Sequence, residues 1–144
     1  MRINRINAVL GLALVMVFAP AFAAPQPGPS FIGEWTATAH APGGDGSETL
    51  KVVKTHDGYA ITAKLIGAPE GSPEAGPGEE IVLDGDKFSY KRTLTMPGGS
   101  LVITYIGVVS GDTFTGTVEI GTFGKIPYTG VRIKHQDNPG ASKP

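Results

Sequence analysis

Cysteine is absent from the 144 residues. That excludes a disulfide scaffold, a Cys-ligated zinc site, an iron–sulfur cluster and a thiol nucleophile. An excess of charge of either sign is also missing: 12 Lys and Arg stand against 13 Asp and Glu, a formal net charge of −1. With no basic stripe to follow a phosphate backbone, no nucleic-acid partner is expected. Histidine is scarce, and His40, His56 and His135 share no i,i+2 or i,i+4 spacing, so no metal site is expected. Phosphate-loop, Gly-x-Ser-x-Gly and HExxH segments are all missing. No catalytic residues and no cofactor are therefore assigned, and the chain reads as non-enzymatic.

Long apolar runs are lacking too, except at the start. Arg2 and Arg5 precede an apolar run from Ala8 to Ala19, which is followed by Pro20-Ala21-Phe22-Ala23. A basic start, a short apolar stretch and an Ala-x-Ala site predict a signal peptide over 1–23, cut after Ala23. The run is shorter than the roughly 20 residues that span a bilayer, so no membrane anchor is expected in the mature form. Cleavage would remove Arg2 and Arg5 and no acid, leaving 10 basic against 13 acidic residues, net −3. An exported domain without disulfides points to a bacterial periplasmic or secreted protein.

What is abundant is glycine and proline, 21 and 12 residues. Pro25, Pro27 and Pro29 define an extended leader over 24–30, and the polar segment 136–144 reads as a disordered tail. Between them, residues 31–135 show no helical period. Eight alternating segments are predicted as strands: Ile32–His40, Glu48–Lys54, Tyr59–Ile66, Glu79–Leu83, Lys87–Met96, Ser100–Val109, Thr113–Ile120 and Lys125–Lys134. Asp57-Gly58, Asp84-Gly85 and Ser110-Gly111 mark tight hairpins. Two connections read as long, Ala41–Ser47 and Gly67–Gly78. The remaining links are too short for crossover helices, so consecutive strands are expected to be antiparallel neighbours.

One phase of these strands collects Trp35, Leu50, Ile61, Phe88, Tyr105, Phe114, Val118 and Tyr128; the other collects mostly Thr and Lys. One face is therefore buried. The fold class is all-β, an antiparallel up-and-down eight-stranded β-barrel, which leads over a β-sandwich. Val102, Ile106, Val108, Val131 and Ile133 form an apolar strip in the outward phase.

Gly33-Glu34-Trp35 opens the first strand, and Gly130-Val131-Arg132 lies in the last. This arrangement resembles the calycin group of lipocalins, fatty-acid-binding proteins, avidins and bacterial protease inhibitors. It also looks like small exported bacterial domains of unknown function. The resemblance implies that Gly33, Trp35, Gly130 and Arg132 close one end of the barrel, the flat guanidinium stacking on the indole. It implies a ligand site at the other end.

Candidate ligand-binding residues are Tyr59, Phe88, Tyr90, Arg92 and Tyr105, all in the inward phase. No acid falls in the inward set, which leaves Arg92 either as an anchor for a ligand's polar head or as a rim residue reaching water. The inward Gly107, Gly116 and Gly130 either leave a cavity or make room for the aromatic rings. Two functions follow. A hollow barrel would bind a small apolar or amphipathic molecule. A filled one would act on an exported protein partner, as a hydrolase inhibitor or accessory domain, through its loops and outer surface.

Overall fold

The computed structural model describes residues 28–135. The expected signal peptide, its cleavage site, the leader before Gly28 and the tail 136–144 lie outside the described residues. Eight strands follow one another: β1 (Gly33–Ala41), β2 (Gly44–Lys54), β3 (Tyr59–Leu65), β4 (Glu79–Asp84), β5 (Lys87–Met96), β6 (Gly99–Ser110), β7 (Thr113–Ile120) and β8 (Lys125–Arg132). They form one antiparallel sheet in the order β3-β2-β1-β8-β7-β6-β5-β4. The first and last strands pair, Trp35 opposite Arg132 and Ala37 opposite Gly130. The sheet is thereby rolled into a nearly closed barrel.

One seam is left, between β3 and β4, which share no ladder. Residues 66–78 cross it. Gly78 N–H donates to Ile61 O at 2.8 Å and Gly76 N–H to Thr93 O at 2.8 Å. Ala75 forms an isolated bridge with Leu94. A loop thus satisfies backbone groups that an open edge would expose.

The other connection expected to be long is a tight turn. β1 and β2 run on to pair Ala41 with Gly44, leaving only Pro42 and Gly43 between them. Gly44 and Gly46 are strand residues. Cross-strand contacts hold the extension: His40 Nδ1 lies 3.0 Å from Asp45 Oδ2, and Thr38 Oγ1 lies 3.0 Å from Ser47 Oγ. Side-chain pairing outweighs the weak strand preference of glycine.

Alternation along each strand separates the faces as expected. Phe31, Trp35, Leu50, Ile61, Phe88, Tyr90, Phe114, Val118 and Tyr128 are buried in one core. The small inward residues are required by the large ones. A Cβ on Gly107 would overlap the Phe88 ring, and one on Gly130 the Phe114 ring. On Gly116 it would overlap the Ile106 carbonyl, which is backbone and cannot step aside. Here, then, Gly107 and Gly130 make room for rings, and Gly116 for the neighbouring backbone. Outside, Val82, Val102, Ile106, Val108 and Val131 are exposed, as expected for four of them, while Ile133 is half-buried.

Gly116→Ala is expected to lower stability by at least about 2 kcal/mol, since overpacking against backbone finds no relief. Gly43→Ala, with nothing within 4 Å of its Cβ position, is expected to stay within about 0.5 kcal/mol of the parent. Urea unfolding midpoints of the two variants check both.

Candidate functional site

The two ends of the barrel differ. The starts of β1, β5 and β7 and the ends of β6 and β8 meet at the closed end. Here Phe31, which precedes β1, is fully buried. Its ring stacks on Phe88 at 3.8 Å and 8° and meets Phe114 edge-on at 5.6 Å. Its carbonyl accepts the Trp35 indole N–H at 2.9 Å. Arg132 lies over the Trp35 ring, 4.1 Å from the centroid. Its Nη1 donates to Ile32 O and its Nη2 to Ser30 O, both at 2.8 Å, and its Nε faces Asp112 at 3.3 Å. Gly33 is needed for this: a Cβ there would stand 2.6 Å from Arg132 Nη1, and its φ is +134°. Gly130 admits the Phe114 ring beneath. The four residues assigned to closure thus meet at one end, tied together by cation–π stacking and backbone acceptors.

Phe31 was not foreseen as part of this plug. The signal was available, because Phe31, Gly33 and Trp35 share one period-2 phase.

The middle of the barrel holds a polar chain. Arg92 is buried, and its partner is Glu48, with Nη1 2.7 Å from Oε2. Glu48 is buried too, which corrects the expectation of no inward acid. It opens the predicted second strand, two residues before Leu50 and four before Val52, so the period placed it inward. Tyr128 Oη donates to Glu48 Oε1 at 3.0 Å, and Tyr90 Oη lies 3.3 Å from Tyr128 Oη. Since the Tyr128 proton is committed to Glu48, Tyr90 is the donor in the second bond. The remaining Arg92 contacts run to the seam-crossing loop: Nε to Gly76 O at 2.8 Å and Nη2 to Ala75 O at 3.0 Å. Arg92 is therefore neither at the rim nor free.

Burial sets the electrostatics. The Tyr105 phenol is pushed up to about 12, first by burial and then by the Glu48 charge. Tyr90 and Tyr128 are raised well above the usual phenol value, again chiefly by burial. Burial pulls the Arg92 guanidinium down, but the Glu48 charge and the phenols outweigh it, and the net direction is up.

Above this chain, toward the open end, lies a half-enclosed cavity of about 190 Å³. Leu65, Ile103, Val118, Ile120 and Ile126 line it with apolar side chains, and Glu48, Tyr105 and Tyr128 line it with polar ones. Gly46 also borders it, with nothing within 4 Å of its Cβ position. A larger concavity of about 490 Å³ lies elsewhere, lined mainly by outward residues such as Val82, Ile106, Val108 and Thr117. It is the wider of the two, but the inner cavity has the convergent polar groups that mark a small-molecule site.

Of the candidate ligand-binding residues, Tyr105 borders the inner cavity. Arg92 lies beside it, 5.9 Å from the Tyr105 centroid, and Tyr90 stacks on Tyr105 at 4.6 Å. Phe88 is at the closed end against Phe31, and Tyr59 is half-buried at the start of β3, at that same end. The structure therefore groups Tyr90, Arg92 and Tyr105 and separates Phe88 and Tyr59 from them. Strand phase shows which side a residue faces, not how far along the barrel it sits.

The strand order, the end-to-end closure and the Trp35–Arg132 base make this a calycin-like barrel. No protein-family model and no curated protein matches the chain. Among solved structures, fatty-acid-binding protein 1 of Echinococcus granulosus aligns with a TM-score of 0.46 at 12% identity, over 72% of this chain and 98% of that one. Secretory abundant heat soluble protein 4 of Ramazzottius varieornatus aligns with a TM-score of 0.49 at 13% identity, over 77% and 100%. A variant of the fluorescent protein UnaG aligns with a TM-score of 0.46 at 17% identity, over 73% and 97%.

Two outcomes are expected of the polar chain. Glu48→Leu strands the Arg92 charge and is expected to cost about 3–5 kcal/mol, whereas Glu48→Leu with Arg92→Met recovers a large part of it. Urea midpoints of the single and double variants measure this. The buried phenols keep their protons in the fold where those of the unfolded chain ionise, at a pH of about 10. Their contribution is complete below that pH and is lost as pH rises through the folded-state values, by roughly 1.4 kcal/mol per pH unit per phenol. Stability is thus expected to fall between about pH 10 and about pH 12, less steeply in Tyr105→Phe. Unfolding midpoints across this range give the slope.

Proposed function

We propose that the protein is a non-enzymatic binding module that takes one small, mainly apolar molecule at the open end of its barrel. The observation that carries this reading is the cavity of about 190 Å³, apolar on its walls and polar at its floor. Its size limits the occupant. Pockets for drug-sized ligands run from about 300 to 1,000 Å³. This one has room for about six water volumes at roughly 30 Å³ each. A single ring or a short chain fits it, and a long acyl chain does not fit inside.

Tyr105 and Tyr128 border the ligand, while Tyr90 and Arg92 hold the floor from behind. Phe88 and Tyr59 serve the closed end. Glu48 takes the place at the cavity that Arg92 has in a sequence reading. The filled-barrel alternative applies to half of the molecule: the rings of Phe31, Trp35, Phe88 and Phe114 leave no room at the closed end. The mouth is where the two readings part, and its apolar walls favour a ligand. The basic, apolar and small-residue order of 1–23 supports export, and we place the mature protein in the periplasm or outside a bacterial cell.

Gly46 supplies the test. It borders the cavity, and a Cβ there meets nothing within 4 Å. Gly46→Leu is expected to fill the mouth, keep the fold and abolish binding of benzene, a probe of suitable size. In the parent protein, benzene is expected to shift the methyl resonances of Ile103, Ile120 and Ile126. Unchanged methyl resonances in the parent at saturating benzene would overturn the reading.

A further inference from the structure

The cavity floor carries more information than its size. Glu48, Tyr105 and Tyr128 are the lining residues with polar side chains. The Tyr128 proton is spent on Glu48 Oε1. Glu48 Oε2 accepts from Arg92 Nη1. Each carboxylate oxygen has about two lone-pair sites, and the protein fills one on each. What Glu48 offers to the cavity is therefore acceptor capacity. Tyr105, whose hydroxyl is held protonated by burial, can act as a donor or an acceptor.

Charge narrows the choice further. The Glu48 and Arg92 charges cancel within their 2.7 Å contact. Any ionised ligand would bring an uncompensated charge into a poorly hydrated site. An anion would also face the Glu48 carboxylate, and the guanidinium that might attract it is turned away, with Nε and Nη2 bound to Gly76 O and Ala75 O. A cation would meet Arg92 directly behind Glu48.

We infer that the mouth selects a small neutral molecule with a hydroxyl or N–H donor on an apolar body, such as an alcohol, a phenol or a lactam, and that the Glu48 carboxylate is the group that reads the donor. This rests on the reading of the mouth as a ligand site and deepens it by naming the ligand chemistry. A hydroxyl suits the floor on both counts, donating to Glu48 and accepting from Tyr105. The inference differs from both sequence readings of Arg92, an anchor for a ligand's polar head or a rim residue. Here the arginine neutralises and orients the carboxylate that does the selecting.

The experiment compares four probes of matched length on the full chain at neutral pH: n-hexanol, methyl pentyl ether, n-hexanoate and n-hexylammonium. Binding is followed by the amide shifts of Gly46, Ile103 and Ile126. Because Glu48→Gln would break the ion pair and endanger the fold, the unaltered protein carries the test. The expected result is that n-hexanol binds at least tenfold more tightly than each of the other three. Equal binding of the ether would show that no donor is read and would overturn the inference. Equal or tighter binding of n-hexanoate would overturn it as well, while leaving the ligand site intact. If none of the four shifts these amides, the mouth is not a ligand site, and the proposed function falls together with the inference.

Discussion

The barrel depends on one guanidinium. Its sheet is closed by ladders everywhere except at the β3–β4 seam, and Arg92 binds the loop that crosses that seam. From β5 it reaches the carbonyls of Ala75 and Gly76 in the crossing loop and the carboxylate of Glu48 on β2. A buried ion pair is seldom stabilising on its own account, because desolvation offsets the Coulomb gain. This one ties β2 to β5 and to Ala75 and Gly76 of the crossing loop, which backbone contacts join to β5. The tyrosine chain and the floor of the cavity are built around it.

The two ends of the molecule use similar residues to opposite effect. At the base, Arg132 stacks on Trp35 and binds backbone carbonyls, and phenylalanine rings fill the space that Gly107 and Gly130 vacate. Toward the mouth, aliphatic side chains stand back and Gly46 fills nothing, so a cavity remains. The direction of alternation is the same throughout. What differs is the volume of the inward residue at each level.

That difference explains what was legible from sequence. Period-2 alternation and turn residues specify the strands, their order and their faces, because both are local in the chain. Trp35 and Arg132 were paired across 97 positions only by resemblance, and they do meet. The turn at Pro42-Gly43 was misread because glycine marks loops and strands alike, and the pairing that decides between them is cross-strand. Glu48 opened the predicted second strand, and its phase pointed inward, yet it was not counted among the inward residues. Depth along the barrel was not legible at all. It depends on strand stagger, which appears only when the register of all eight strands is known, and so Phe88 and Tyr59 were grouped with residues at the far end.

The pairing of β1 with β8 also governs how the chain can acquire its shape. The carbonyl of Ile32 waits for the guanidinium of Arg132, 100 residues later. Contacts between such distant positions form slowly, because the entropy of closing the intervening loop is lost before the contact forms. Neither the base plug nor the last ladder can assemble until synthesis has passed Arg132. Up to that moment the nascent polypeptide lacks its closing strand, and β1 has only β2 to pair with.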